Sequence, residues 1–385
     1  MYDRLETNIP HSLMRYSDAP SLQDHQLFPA REIVVQYLEE YAKDVQDMVH
    51  FQTQVVDIHL KHGTPQDVWT LETKTLTSNE VSREEYDAVV VANGHYTVPK
   101  LPDIQGIQEW DKANPGAIAH SKFYRTPAQY ANKKVLVVGN SASGVDIANQ
   151  IGTVARHPVL NSTRSKSPLS FGAMWKRTVP EIAEFLPPRR SDRAIQFRDG
   201  SVETGVDAIL FCTGYFYSYP FLSTLSPKLI DTGERVQHIY RHVFYIELPS
   251  LAFIGLPSKI IPFRTFEGQA AVIARVWANR LTLPTKARMD QWEEHEMAER
   301  GSGRSFHVLP FPKDFDYHND MVDWALQATD PEHGKIPPKW SKRETWQRER
   351  FPLIKKAFGE RGEDRHSVRS AEELGFDYDT ATAQE

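Results

Sequence analysis

The chain has 385 residues, a formal net charge of −6 at pH 7 and a pI near 6.2. This length predicts two domains, or one domain interrupted by another. The acidic balance excludes a general nucleic-acid binder, because no basic surplus exists to displace counterions from phosphates. A single cysteine, Cys212, excludes an internal disulfide and a cysteine-based zinc site. No apolar run approaches the roughly 20 residues that a bilayer requires, and the first residues do not resemble a signal peptide. We therefore expect a soluble cytoplasmic protein without a membrane anchor.

The N-terminal part of the sequence predicts one helix and three strands. Apolar residues recur at helical spacing from about Ile33 to Val45. Two following segments, 49–60 and 68–75, alternate apolar and polar residues as half-buried strands do. The run at 87–92 is continuously apolar and is closed by Asn93-Gly94, which predicts a strand buried on both faces of a parallel sheet.

A βαβ unit is predicted after a polar, proline-containing crossing. KKVLVVG at 133–139 is typical of a buried strand. The segment 141–155 is typical of a helix, and HPVLNSTRS at 157–165 of a second strand.

The rest of the sequence predicts a hairpin, two buried strands and a helix. Residues 165–188 show no periodicity and are expected to be irregular. Asp199-Gly200 is a strong turn signal between two short strands. DAILFCTG at 207–214 and LAFIG at 251–255 are typical of buried strands, and a helix is expected over about 266–281.

The loop GNSASG at 139–144 follows a buried strand and opens a helix, which is the context of a dinucleotide-binding fingerprint. Gly139 permits the tight turn, and Gly144 lets the helix approach the strand. The helix N-terminus offers free N–H groups to a pyrophosphate. Ser141 stands where the fingerprint has its second glycine, and we expect its hydroxyl to compensate by hydrogen bonding. A structural turn without a ligand is the alternative, and the strand–helix context favours a dinucleotide.

The end of the next strand predicts which dinucleotide binds. NAD-binding folds usually carry an acidic residue there to hold the ribose 2′-hydroxyl. This chain has NSTRSK at 161–166, without a carboxylate and with two cations, Arg164 and Lys166. Because a guanidinium can pair bidentately with a 2′-phosphate, the sequence favours NADP(H) over NAD(H). A solvated basic loop is the alternative.

A larger pattern around this loop resembles the flavin-containing monooxygenases, which are class B flavoprotein monooxygenases. Their linker signature is Phe-x-Gly-x-x-x-His-x-x-x-Tyr/Phe. Gly116, His120 and Tyr124 match it, while Asn114 stands in place of Phe. The blocks LETNIP, VANGHYTVPKLP and FCTGYFYSYPFL match the family in the same order. The Baeyer–Villiger monooxygenases, a sister family, carry Trp in place of Tyr124, which counts against that alternative.

The resemblance implies which residues contact the cofactors. Asn8 would lie near the C4a atom of the flavin as the catalytic residue, with Thr7 beside it; on spacing alone, Asn8 is a turn residue. His120 would be a hinge between domains rather than an acid or base. The other residues implied are Ser143, Gly144, Val145 and Asp146 for NADP, Thr213 and Gly214 where the chain returns to the flavin domain, and Glu267 and Gln269 at a helix start close to the flavin ring.

The chemistry that the resemblance implies is N- or S-oxygenation of a small molecule with NADPH and O2. NADPH reduces FAD, O2 then gives a C4a-hydroperoxyflavin, and an amine nitrogen or a sulfur attacks its distal oxygen. Because the cofactor carries this chemistry, the protein supplies position and a dry pocket. The sequence shows neither a nucleophile–base pair nor a histidine pair with metal spacing, and a homodimer stays an option.

The expected fold is α/β with two dinucleotide-binding, Rossmann-like domains. An NADP domain, 124–211, is inserted into an FAD domain made of residues 1–123 and 212–385, the latter with a helical C-terminal region. Family members open with a flavin-binding βαβ unit and its glycine loop, which this sequence lacks, so we expect the FAD domain to be N-terminally truncated. Gly301-Ser302-Gly303 has no preceding buried strand and cannot substitute.

Three functions stay open at this point. The chain is either a truncated monooxygenase or a short, non-catalytic relative that binds NADP without FAD. An NADP-dependent reductase or dehydrogenase without flavin is the third, and the FCTGY and LETNIP blocks argue against it.

Overall fold

The computed structural model describes residues 1–19, 21–61, 68–164, 174–187 and 192–383. The α-helices in these ranges are α1 (His11–Met14), α2 (Arg31–Tyr41), α3 (Ile107–Ala113), α4 (Ala142–Gly152), α5 (Pro262–Trp277), α6 (Lys286–Arg300), α7 (Lys313–Ala325), α8 (Lys342–Glu360) and α9 (Tyr378–Thr382). The strands in these ranges are β1 (Thr53–Leu60), β2 (Trp69–Thr75), β3 (Val81–Tyr86), β4 (Val89–Val91), β5 (Val98–Pro99), β6 (Ile118–His120), β7 (Val135–Val138), β8 (Val159–Ser162), β9 (Lys176–Val179), β10 (Ile182–Phe185), β11 (Ile195–Phe197), β12 (Val202–Glu203), β13 (Ala208–Phe211), β14 (Tyr215–Phe216), β15 (Ile239–Tyr240), β16 (Phe244–Tyr245) and β17 (Leu251–Phe253).

A five-stranded sheet forms one half of the fold, in the order β6-β13-β7-β8-β9. Every neighbouring pair in it is parallel. Helix α4 connects β7 to β8, so the predicted βαβ unit is confirmed. The four residues of β13 are all buried, as apolar runs in parallel sheets are. Strand β6 precedes residue 124, so the sheet extends to the N-terminal side of the domain boundary that the sequence suggested.

The expectation of irregular structure over 165–188 is wrong for the part of it that the structure describes. Strand β9 adds an edge to the parallel sheet, and β10 pairs with β11. Strands β11 and β12 form the hairpin predicted at Asp199-Gly200. Strand β9 could not be recognised from the sequence, because only Val179 of its four residues is buried and there is no apolar pattern.

A second sheet has the order β15-β16-β17-β4, with β17 and β4 parallel. The prediction that 87–92 is buried on both faces is wrong, because Val90 in the middle of β4 is 39% exposed. The reason lies in the topology: among the described strands β4 pairs only with β17, so it forms the edge of this sheet. Local hydropathy does not distinguish an edge strand from a central strand of a sheet.

Helix α5 packs beside this second sheet and against α7. It begins earlier than expected, at Pro262, since proline is well suited to the first turn of a helix. Strands β1, β2 and β3 form a separate antiparallel meander. It packs against the second sheet, since Ile58 and Trp69 share a hydrophobic cluster with residues of β4, β16 and β17. The sequence missed β3 because all six of its residues are exposed. Over the described ranges, none of the helices combines the length and the apolar character that a bilayer crossing needs.

Candidate functional site

The turn between β7 and α4 requires both of its glycines. Gly139 has φ +116°, and a Cβ there would lie 2.5 Å from the carbonyl oxygen of Cys212. A Cβ on Gly144 would lie 2.4 Å from the carbonyl oxygen of Gly139. Because both obstacles are backbone atoms, no side chain can move aside, and the helix starts in direct contact with the strand ends.

A buried amide supports this turn from the neighbouring strand. The Nδ2 of Asn161, at 1% exposure, donates hydrogen bonds to the carbonyl oxygens of Val137 and Gly139, each at 3.1 Å. Sequence reasoning gave Asn161 no role, since one polar residue in a buried strand carries no periodic signal. The loop shape is therefore fixed by β8 as well as by its own glycines.

A cleft of about 1200 Å³ opens at this turn. It lies at the carboxyl ends of β7 and β8, where ligands of parallel α/β sheets bind. Among the residues that line it are five of the predicted site residues, which come from four distant parts of the sequence: Asn8, Gly139, Ser141, Arg164 and Thr213. Lys166, the second predicted cation, lies outside the described residues.

The other residues predicted for the nucleotide lie behind the cleft rather than on its wall. The carboxylate of Asp146 accepts hydrogen bonds from the hydroxyl of Tyr2 at 2.6 Å and from the amide of Gln150 at 3.1 Å. Burial raises the pKa of Asp146, and the hydrogen bond from Tyr2 opposes that shift. This contact ties the N-terminal segment to α4. The predicted residues that do not line the cleft are Thr7, Ser143, Gly144, Val145, Asp146, Gly214, Glu267 and Gln269.

Thr7 holds Asn8 in place through the backbone. The N–H of Thr7 donates to the carbonyl of Pro29 at 2.9 Å, and its own carbonyl accepts from Nζ of Lys355 at 2.8 Å. The side chain of Asn8 lines the cleft and has no hydrogen-bond partner within the described ranges. It is therefore available to a ligand.

The cleft is basic, which the sequence did not predict. Arg304 donates to the carbonyl of Thr213 at 3.1 Å, although GSGR at 301–304 had been set aside for want of a strand. Arg348 forms a buried ion pair with Asp314 at 2.8 Å. These cations come from distant parts of the sequence and are brought to the cleft by the fold, and no sequence motif identifies them. The cationic residues that line it beside Arg164 are Lys100, Arg198, Lys259, Arg304 and Arg348.

His120 connects the parallel sheet to the segment after β13. Its Nδ1 accepts from the N–H of Lys122 at 3.1 Å, so the proton lies on Nε2, which donates to the carbonyl of Gly214 at 3.0 Å. Burial lowers the pKa of His120, which keeps the ring neutral. Such a contact suits a hinge between two parts of the chain.

A second cavity, of about 670 Å³, lies at the carboxyl ends of β4 and β17. Three buried polar atoms on residues that line it have no hydrogen-bond partner among the described residues: Nε2 of His95, Oε2 of Glu267 and Nε of Arg275. Nε of Arg264 lies 3.9 Å from that Glu267 oxygen, beyond hydrogen-bond distance. Tyr96 lines both cavities. The small residues on the wall are Ala92, Gly94, Gly255, Ala270, Ala271 and Ala274.

Glu267 and Gln269 have different surroundings. One carboxylate oxygen of Glu267 accepts from the N–H and the hydroxyl of Ser17, each at 2.9 Å, and pairs with Lys335. Gln269 is fully buried, and its amide accepts from the N–H of Gly255 and donates to the hydroxyl of Tyr317, both at 2.9 Å. Gln269 therefore fastens α5 to the segment after β17 and to α7, while Glu267 lines the cavity.

The glycine turn, the basic cleft and the cavity at the second sheet define a two-domain, dinucleotide-binding protein of the Rossmann type. The flavin-binding monooxygenase-like family model matches residues 1–181 and 180–321, and the chain belongs to that family. Its members are flavin-dependent monooxygenases that use FAD and NADPH. The resemblance drawn from the motifs is thereby confirmed.

Individual relatives agree with this family. The chain is 37% identical over 84% of its length to flavin-containing monooxygenase FMO GS-OX-like 2 of Arabidopsis thaliana, and 37% identical over 75% of its length to FMO GS-OX2 of the same plant. It spans 71% and 63% of these two relatives. The structure of S-allyl-L-cysteine S-oxygenase from Allium sativum matches all of this chain and 83% of its own, with a TM-score of 0.79 and 29% identity. The expected fold of two Rossmann-like domains is thus confirmed.

Proposed function

We propose that the chain is an NADPH- and O2-dependent flavin monooxygenase that oxygenates the sulfur or the amine nitrogen of a small molecule. The observation that carries the proposal is the single cleft in which Asn8 meets the glycine turn, Arg164 and Thr213. A dehydrogenase without flavin would use the glycine turn and Arg164 but has no use for the second cavity, which adjoins this cleft at Tyr96. Likeness to an S-oxygenase supports sulfur as the first substrate atom to test.

NADP fits the part of the cleft at α4. The side chain of Ser141, the N-cap residue, makes no capping hydrogen bond to any described residue. Its hydroxyl and the first N–H groups of α4 are therefore available to a pyrophosphate. Arg164 lies beyond the end of the next strand with 82% of its side chain exposed, where a 2′-phosphate would reach it.

FAD fits the second cavity, and the unpaired atoms on its wall are the test of that fit. Buried polar groups rarely lack partners. A flat heterocycle with donors and acceptors would satisfy Glu267, Arg275 and His95 together. The alanine and glycine wall lets a planar ring approach the backbone. FAD bound there would supply the redox chemistry, taking electrons from NADPH and passing one oxygen atom of O2 to the substrate.

The chain's own part in the reaction is to position the reacting groups and to exclude water from them. Asn8 lines the first cleft and not the cavity proposed for FAD, and the two cavities share Tyr96. A flavin ring that extends past Tyr96 would meet the amide of Asn8, which can donate and accept hydrogen bonds and so hold a reacting oxygen without transferring a proton. Ile9 and Phe311 line the cleft beside it and keep that region apolar. A sulfur or amine lone pair is nucleophilic without help, so the proposal requires no protein base.

A non-catalytic NADP-binding relative is the second candidate. The observation that favours it is β4, one edge of which has no strand partner among the described strands. An incomplete sheet beside the proposed FAD cavity would weaken flavin binding and leave NADP binding intact. A Baeyer–Villiger activity has no such observation in its favour.

The visible absorption spectrum of the purified chain, with and without added FAD, separates these candidates. A bound-flavin spectrum, with NADPH oxidation equal to O2 consumption in the presence of a thioether, supports the monooxygenase. A colourless protein that binds NADPH supports the second candidate. Oxygen-independent NADPH turnover would indicate a dehydrogenase and refute both.

Asn8→Asp tests the residue on which the cleft argument depends. We expect coupled oxygenation to be lost and NADP affinity to stay nearly intact, because the groups proposed to hold the nucleotide are Ser141, the first N–H groups of α4 and Arg164, and not the side chain of Asn8. Unchanged coupling would remove Asn8 from the mechanism.

A further inference from the structure

A carboxylate lies between two arginines at the rim of the cleft. Glu181 pairs with Nε of Arg164 through one oxygen, and its other oxygen lies 3.4 Å from Nη1 of Arg198. All three residues line the cleft. The arginine side chains are 82% and 68% exposed, whereas that of Glu181 is 26% exposed.

The backbones that carry this cluster are fixed to one another. The N–H of Arg198 donates to the carbonyl of Glu181 at 2.9 Å, so the β11–β12 hairpin is attached to the start of β10. Ser162 at the end of β8 donates to the carbonyl of Pro180 at 2.8 Å. The three side chains therefore share a rigid base, although their sequence positions are unrelated.

We propose that Arg164 and Arg198 together bind the 2′-phosphate of NADPH, and that the phosphate displaces Glu181 from them. This inference rests on the proposed NADP site and adds two specificity-determining residues, Arg198 and Glu181. In the absence of cofactor, Glu181 holds the two like charges side by side. With cofactor, the carboxylate competes with the phosphate, and so it limits the preference for NADPH over NADH.

The charges make this exchange favourable. A phosphate monoester carries between one and two negative charges near neutral pH, against one for a carboxylate. Guanidinium–phosphate pairs are charge-assisted and often bidentate. The pairs that must break are largely exposed, and exposed ion pairs contribute little. The three side chains are too exposed for their ion pairs to stabilise the protein core.

Adenosine 2′,5′-bisphosphate and 5′-AMP are the probes, with binding to the full chain measured by calorimetry. These ligands differ only in the 2′-phosphate and need no flavin. We expect the wild-type chain to prefer the bisphosphate. Arg198→Ala should weaken bisphosphate binding by about tenfold and leave AMP binding unchanged, and Arg164→Ala should do the same. Glu181→Gln should strengthen bisphosphate binding several-fold.

Arg156→Ala is the matched control, because Arg156 forms a similar exposed pair with Asp207 at 3.4 Å and does not line the cleft. Thermal unfolding shows whether each variant is folded. If the wild-type chain binds neither probe, the NADP site itself is refuted. If it prefers the bisphosphate but Arg198→Ala has no effect, only this inference fails. Weaker bisphosphate binding by Glu181→Gln would show that Glu181 positions the arginines, and would overturn the competition.

Discussion

The side-chain nitrogen of Asn161 lies 3.1 Å from the carbonyl oxygen of Gly139, and the same nitrogen donates to the carbonyl of Val137. A strand residue thus supports the turn that a dinucleotide would contact. Asn161→Leu keeps the branched shape of the side chain and removes the donor to both carbonyls, which should cost about 1–3 kcal/mol of unfolding free energy. Urea denaturation measures this loss, and NADPH titration should show weaker binding.

Asn149→Leu is the control, since Asn149 is on the exposed face of α4. It should lower the unfolding free energy far less than the change at Asn161. Equal losses at the two positions would show that the buried amide does not support the turn.

Gly144→Ala tests the contact between the helix and the strand ends. The new Cβ would lie 2.4 Å from the carbonyl oxygen and 2.8 Å from the carbonyl carbon of Gly139. The turn must shift, so we expect about 1–3 kcal/mol of destabilisation and NADPH binding weakened by about tenfold or more. Gly359→Ala in α8 meets no atom within 4 Å and should be neutral or stabilising. NADPH binding at wild-type strength by Gly144→Ala would contradict the steric argument.

Gln269 is expected to act in folding rather than in cofactor binding. Its amide bridges Gly255 and Tyr317 in a fully buried position. Gln269→Leu leaves the N–H of Gly255 unsatisfied, while the hydroxyl of Tyr317 keeps its bond to the carbonyl of Arg241. The change should cost about 1–3 kcal/mol of unfolding free energy, with NADPH affinity unchanged. Gln269→Glu keeps an acceptor for Gly255 but places a carboxyl group in a fully buried position, so it should lose at least as much at neutral pH. A loss of NADPH affinity without loss of stability would assign Gln269 to the ligand instead.

A pair of buried histidines predicts acid sensitivity. Nδ1 of His242 and Nδ1 of His307 are 3.0 Å apart, and both side chains are almost fully buried. Burial lowers the pKa of His242 to about 3, and burial and the neighbouring His242 lower that of His307. In the unfolded chain these groups bind protons below about pH 6.5. Their contribution to stability is therefore complete above pH 6.5 and is lost as the pH falls towards 3.

Urea unfolding at a series of pH values between 7 and 4 measures this dependence. His242→Gln removes one buried imidazole. It should reduce the slope of the unfolding free energy against pH by up to the amount that corresponds to one bound proton. His50→Gln, at an exposed position, controls for loss of an imidazole. A slope unchanged by His242→Gln would mean that other groups cause the acid sensitivity.

Local signals predicted the nucleotide half of the fold well. The apolar run of β7, the glycine turn and the helix pattern of α4 are contiguous in sequence, and each restricts the backbone by itself. The position of Arg164 follows from the end of β8, so it was predicted from the same stretch. The hairpin at Asp199-Gly200 needed only its turn residues.

Features that depend on distant contacts were not predictable. Whether β4 is central or at an edge depends on how many strands pair with it, which hydropathy does not record. Arg198 and Glu181 meet Arg164 because two hairpin strands fold back beside the sheet, and no spacing marks that. The fastening of Asp146 by Tyr2 joins residues 144 positions apart. Gln269 and Glu267 are two residues apart on one helix, yet only the packing shows that one faces a cavity and the other does not.

The bond from Lys355 to the carbonyl of Thr7 spans 348 positions. A ribosome makes the strands of the parallel sheet well before it makes α8, and domains fold in the order of their synthesis. We therefore expect the nucleotide turn to form while the segment that carries Asn8 still lacks its distal anchor. On this expectation the cleft matures in stages: the wall at the glycine turn forms early in translation, and the wall at Asn8 becomes fixed only after α8 has emerged and docked.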